Sequence, residues 1–317
     1  MTFGVSARTG SSSSLRALPL LALLASALAR PQAVVWLYAP QATPENGLWQ
    51  QWAGALEAHR DNLTGVAPCI YLIGGDGVFS DQMGNASNLA AARNATLSFK
   101  RDMGLDTVPL LAASGTGMNL ILRDAALAQR AIDATVAEAV ALNLSGYNLQ
   151  LEEPGSPEIQ ANWTIFLTKW LAALDNVGST LAVIIGGDCR ARDWMWMDCG
   201  NYREMYAAGS TNLRVITEAT YEQNPPTWKD FLANIVRGLG PEIAQLGYEY
   251  GPPSNNPDNG CLPAAAAANV STMYLWVNPP ESNASWDGMG WWLSHASPSP
   301  SSSPSLSSSS SLPSSLS

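Results

Sequence analysis

The most specific chemistry in the sequence is carried by SGYNLQLEEPG, residues 145–155. Read as a strand, Asn148, Gln150 and Glu152 fall on one face and Tyr147, Leu149 and Leu151 on the other, because successive side chains alternate. Two amides and then an acid make neither an ordinary core face nor an ordinary solvent face. Gln150 and Glu152 are two residues apart, about 6–7 Å along one face, a workable spacing for two groups acting on one sugar ring. The competing reading is a buried polar network that only fixes packing.

The surrounding elements decide what this face can meet. Apolar runs predict strands at 33–40, 67–75, 107–117, 146–154, 179–188, 214–222, 244–253 and 272–280. Helical periodicity predicts helices at 45–60, 88–103, 119–142, 156–175, 227–240 and 286–296. Trp163, Phe166 and Trp170 recur at helical spacing and read as core. Eight strands with mostly helical crossovers predict an α/β fold with parallel strands, and the size of the chain suits a single-domain (β/α)8 TIM barrel. A doubly wound open sheet is the runner-up; against it, no GxGxxG opens a helix after the first strand and no Walker loop is present. In a barrel, Tyr147, Leu149 and Leu151 face the helices, and Asn148, Gln150 and Glu152 face the lumen. Glu152 is then at the C-terminal mouth, where this fold places its chemistry.

On these residues the chain resembles the family 18 glycoside hydrolases, the chitinases and chitobiases, whose fourth barrel strand carries DGxDxDxE. Here the signature reads Ser145-Gly146-Tyr147-Asn148-Leu149-Gln150-Leu151-Glu152, with the Gly and the final Glu retained. The family's SxGG on the third strand has an imperfect echo in Ser114-Gly115-Thr116-Gly117. Its strand-six Tyr resembles Tyr221 in Ala219-Thr220-Tyr221-Glu222, and its strand-eight Trp resembles Trp276 in TMYLWVNPP. The resemblance spans most of residues 33–292, in order. It implies substrate-assisted, retaining hydrolysis of N-acetylglucosamine glycans, an exception to the two-carboxylate scheme. Glu152 is then the general acid, Tyr221 a hydrogen-bond partner of the acetamido carbonyl, and Trp276 the floor beneath the sugar. Asn148, Tyr38 and Ser114 join Trp276 in the substrate-binding set. Gln150 departs from the family, since an amide orients an acetamide N–H but supplies no negative charge. A sugar-binding, lectin-like relative and a structural extracellular glycoprotein are the alternatives.

The 317 residues are 46% hydrophobic and 13% charged, with a formal net charge of −10. That surface repels phosphate backbones, so nucleic acid is a poor partner; an oligosaccharide or polysaccharide substrate is what the resemblance implies. Arg8 and Arg16 precede the apolar run 17–29, which reads as a secretory signal peptide over residues 1–29, too short to span a membrane comfortably. The expected domain is 30–296, followed by a Ser/Pro-rich tail at 297–317 that cannot build a core. A secreted glycoprotein also fits the N-x-S/T sequons at Asn62, Asn85, Asn94, Asn143, Asn162, Asn269 and Asn283. The four cysteines suit an oxidising compartment; Cys189 and Cys199 are the favoured disulfide and Cys69 with Cys261 the remainder. No CxxC spacing is present and His59 and His295 are far apart, so no metal and no cofactor are expected.

Overall fold

The structure is a computed structural model. It describes residues 31–37, 47–81, 88–151, 157–187, 189, 197–218, 225–249, 261–277 and 283–296. All of them belong to one compact unit, Pro31–Ser297. The expected leader and the Ser/Pro-rich tail lie outside the described residues.

The strands are β1 (Gln32–Leu37), β2 (Gly65–Ile73), β3 (Phe79–Asp81), β4 (Asp106–Thr107), β5 (Leu110–Ala113), β6 (Gly146–Gln150), β7 (Thr180–Ile185), β8 (Leu213–Glu218), β9 (Ala244–Glu249) and β10 (Thr272–Val277). Eight of them pair in parallel in the order β1-β10-β9-β8-β7-β6-β5-β2, and β1 pairs with β2 to close the ring. This is the expected (β/α)8 barrel. β3 folds back antiparallel on β2, and β4 adds a short parallel step beside it.

The helices are α1 (Gly47–Ala58), α2 (Leu89–Met103), α3 (Gly115–Arg123), α4 (Ala125–Leu142), α5 (Pro157–Asp175), α6 (Cys199–Ala207), α7 (Pro225–Leu239), α8 (Cys261–Ala267) and α9 (Asn283–His295). None of them is long and apolar enough to cross a membrane. The helix expected over 119–142 is two helices. Asp124 breaks it, because its carboxylate accepts from the Ala126 and Leu127 amides and caps a fresh start. The run 107–117, expected as one strand, leaves the sheet at Ala113 and turns into α3, with Ser114 accepting from the Gly117 amide at 3.0 Å. The short helices α6 and α8 were not expected from periodicity.

Two cores result. The larger lies between ring and helices and holds Val35, Leu37, Leu111, Tyr147, Leu149, Leu151, Val183 and Val215 against α1 to α9. Trp163, Phe166 and Trp170 belong to it, as their spacing predicts. The smaller fills the lumen with Val34, Trp36, Ala67, Cys69, Leu110, Ala182, Ile184, Ile216 and Tyr274. The alternation along each strand sorts residues between the two.

One buried charge network binds the outer layer together. Glu138 on α4 is 3% exposed and takes two bonds from Arg93 Nε, at 2.8 and 3.0 Å, and one from Arg93 Nη2 at 2.7 Å. The Tyr71 hydroxyl of β2 donates to the same carboxylate at 3.0 Å. Burial, reinforced by the Glu138 charge, pushes the Tyr71 and Tyr147 phenols well above their ordinary range. Tyr147 donates instead to the Thr135 carbonyl at 2.8 Å, and Trp170 Nε1 donates to Thr135 Oγ1 at 2.7 Å.

The expected Cys189–Cys199 disulfide is present, with the two Cα atoms 5.6 Å apart. It packs against α7, where a Cβ on Gly238 would meet Cys189 Sγ at 2.6 Å. Of the remaining two cysteines, Cys69 is buried in the lumen with its Sγ 4.0 Å from the Ala67 carbonyl, and Cys261 is the first residue of α8, its side chain outside those described.

Candidate functional site

The signature strand β6 runs between β5 and β7, with Asn148 opposite Leu110 and Ala182, and Gln150 opposite Ala112 and Ile184. All of those partners except Gln150 itself and Asn148 belong to, or pack against, the lumen cluster. Tyr147, Leu149 and Leu151 lie in the outer core. The alternation read from the sequence is therefore the alternation of the fold.

The two start residues of the stretch have local duties. Ser145 Oγ bonds the Asp106 carboxylate at the foot of the barrel. A Cβ on Gly146 would come within 3.0 Å of the Thr180 carbonyl carbon, so this glycine is required for the close approach of β6 and β7. Gly146 therefore has a packing cause that is independent of any chemistry.

The registers stagger steadily round the ring, so inward positions stack in layers. Asn148 shares a layer with Ala67, Ile216 and Tyr274. Trp36, Leu110, Ile184 and Gly247 form the next layer toward the C-terminal mouth. Cys69, Gln150 and Trp276 form the one above, and Glu218 occupies the corresponding register position on β8. The signal in the sequence that points to Glu218 is its shared parity with Ile216.

Asn148 is 1% exposed. Its amide sits beside the Tyr274 hydroxyl and tends to lower that phenol's pKa, but burial dominates and drives it upward. Neither Asn148 amide atom reaches hydrogen-bonding geometry with a described protein group, and the same holds for Trp36 Nε1 and Gln245 Oε1. A buried amide left in this condition costs about 1–3 kcal/mol. Polar groups that weaken a core mark a place where something other than stability has set the residue.

Trp276, half-buried at the end of β10, packs edge-on to Trp36 with ring centroids 6.0 Å apart, and Trp36 stacks on Tyr274 at 5.1 Å. The three rings make an aromatic wall on the β1–β10 side, across the lumen from β6. Ser114 stands at the C-terminal end of β5, where its hydroxyl oxygen is already the cap of α3. The structure thus brings Asn148, Gln150 and Trp276 into one lumen and places Ser114 at its rim. Glu152, Tyr221 and Tyr38 lie outside the described residues; β8 as described ends at Glu218, three residues before Tyr221. Among the described residues, no three His, Cys, Asp or Glu side chains gather to hold a metal ion.

No family model matches the sequence, and no curated protein matches it. Solved structures do match in fold. The class V chitinase of Pseudomonas fluorescens superposes with a TM-score of 0.64 at 14% identity, covering 83% of this chain and 99% of that one. The spore cortex-lytic enzyme SleL of Bacillus megaterium gives 0.63 at 11% identity, covering 82% and 73%. A chitinase-like agglutinin from Robinia pseudoacacia gives 0.58 at 13% identity, covering 82% and 99%. At these identities the likeness establishes the barrel fold.

Proposed function

We propose that the chain is a glycoside hydrolase-like protein acting on N-acetylglucosamine-containing glycans, chitin oligosaccharides among them, by substrate-assisted retaining hydrolysis. The observation that carries this reading is the polar face of β6, with Asn148 and Gln150 directed into the lumen of a closed barrel, two residues before Glu152 in the sequence. The fold likeness to two proteins named as a chitinase and a cortex-lytic enzyme supports it.

In this reading Glu152 protonates the leaving glycosidic oxygen. The substrate's own acetamido carbonyl attacks the anomeric carbon and forms an oxazolinium ion, which water then opens. Gln150 accepts from the acetamide N–H through its carbonyl oxygen, and Tyr221 donates to the acetamido carbonyl. Trp276 is the floor beneath the sugar, with Asn148, Tyr38 and Ser114 completing the binding surface. No cofactor takes part. The chain acts outside the cell after its leader is removed.

A second reading rests on the neutrality of Gln150. The family's carboxylate at that position stabilises positive charge, and losing such a preorganised partner costs about 10²–10³ in rate. A barrel with that position neutral is suited to binding a glycan without cleaving it, and the agglutinin shows the fold in a protein named for binding.

Turnover of fluorogenic chitobiose and chitotriose by the parent, Glu152→Gln and Gln150→Asp separates the readings. Hydrolysis by the parent that vanishes in Glu152→Gln is expected. Activity that appears only in Gln150→Asp selects the binding protein, and silence from all three sinks N-acetylglucosamine chemistry.

A further inference from the structure

Six sequon asparagines fall within the described residues, Asn283 at the start of α9 among them, and the fold treats them differently. Asn62 is held: its Nδ2 donates to the Trp286 carbonyl at 3.1 Å, and α9 presses on it so closely that a Cβ on Gly290 would meet Asn62 Cγ at 3.0 Å. Asn94 and Asn162 lie inside helices α2 and α5. In the first of these sequons Thr96 is fully buried, and in the second Thr164 Oγ1 donates back to the Gln160 carbonyl at 2.9 Å.

Asn143 and Asn269 are of another kind. Both are exposed and both are left-handed, with φ of 50° and 59°. Each follows a helix, α4 or α8, and turns the chain toward a strand, β6 or β10. Asparagine is one of the few residues besides glycine that enters this conformation readily, so a structural reason places it there. A surface turn is the setting in which a sequon can carry a bulky, solvated sugar.

Because the turns that lead into strands lie at the N-terminal ends of the strands, both residues sit on the barrel face opposite the candidate site at the C-terminal ends. We propose that Asn143 and Asn269 carry N-linked glycans and that Asn62 stays bare. The Asn Nδ2 forms a bond to the anomeric carbon of a lipid-pyrophosphate-linked oligosaccharide, the lipid pyrophosphate departs, and the amide gives up one proton. Glycans on this face leave the mouth of the barrel open. The assignment is independent of what the mouth binds and requires only that the chain pass through a secretory pathway.

The test is to express the full chain in a eukaryotic secretory host and map its peptides after enzymatic deglycosylation in heavy-oxygen water, which marks each former glycan site as Asp. Label at Asn143 and Asn269 and none at Asn62 is expected. Asn143→Gly and Asn269→Gly, which remove the acceptor and favour the left-handed turn, should each lower the mass by one glycan. Label at Asn62 in folded protein, or label at other sequons with Asn143 and Asn269 bare, overturns the assignment. If the chain carries no label at all, a proven leader placed before residue 30 decides the cause. Glycans that then appear at Asn143 and Asn269 uphold the two sites and fault only the native leader, whereas continued absence overturns the sites.

Discussion

Gly247 and Trp36 are locked against each other across one layer of the lumen: a Cβ on Gly247 would meet the indole Cζ3 at 2.8 Å, and Ile216 closes the same space at 3.4 Å. Trp36 is 1% exposed and stacked on Tyr274, so it has nowhere to withdraw. Gly247→Ala is therefore expected to destabilise by about 1–3 kcal/mol, the usual cost of overpacking. It should also displace the Trp36–Trp276 contact and weaken glycan binding by more than the stability loss explains. Chemical denaturation and a glycan titration of the variant check both; an unchanged midpoint defeats the account of the lumen as tightly filled.

Asn148→Leu is expected to leave stability unchanged or raise it by about 1 kcal/mol, since it removes an amide without a described partner from an apolar layer. The same variant should lose glycan binding or turnover. A destabilisation of several kcal/mol would make Asn148 a structural residue and remove the main reason for placing it in the site.

Arg93→Gln leaves the Glu138 carboxylate with only the Tyr71 hydroxyl of its described partners. A wholly buried pair broken on one side costs about 3–5 kcal/mol. Here the Arg93 side chain is 42% exposed, so water tempers the loss, and about 2 kcal/mol is expected. Arg93→Gln combined with Glu138→Gln should cost less than Arg93→Gln alone. Thermal melts of the three variants test this, and additive losses argue against a coupled pair.

Burial raises the pKa values of Tyr71, Tyr147, Tyr202 and Tyr274. A group whose folded pKa exceeds its unfolded one contributes stability that is complete below the unfolded value, about 10 for tyrosine, and lost as pH rises beyond it. The melting temperature should therefore hold steady to about pH 9.5 and then fall. Tyr202→Phe should flatten that fall, because it removes one such group. A parent curve that stays level to pH 11 contradicts the burial of these phenols.

Cys189→Ser with Cys199→Ser is expected to cost about 2–3 kcal/mol, as the bond closes a loop of only 10 residues. Reduction by a thiol should reproduce the loss in the parent and have no effect on the double variant. Equal sensitivity of both proteins would place the effect outside this disulfide.

The barrel was legible because its strands are apolar runs at regular intervals, and the inward face of β6 was legible because period-two alternation needs no knowledge of neighbours. The division at Asp124 was hidden by apolar periodicity that continues through it, so only the cap announces it. The nine residues of α6 and the seven of α8 are too short for a hydrophobic stripe to show. The contact of Gly247 with Trp36 joins strands that are more than 200 residues apart in sequence, and nothing local to either residue reveals it.

The separation of the two cores bears on how such a sequence changes over generations. Most of the buried apolar surface among the described residues lies outside the ring, in side chains that never meet the lumen. Substitutions on the inward face that keep its volume are then filtered more by what the lumen does than by the need to fold. Inward positions such as Asn148 and Gln150 can change, and the work of the barrel with them, while the outer core keeps the same scaffold.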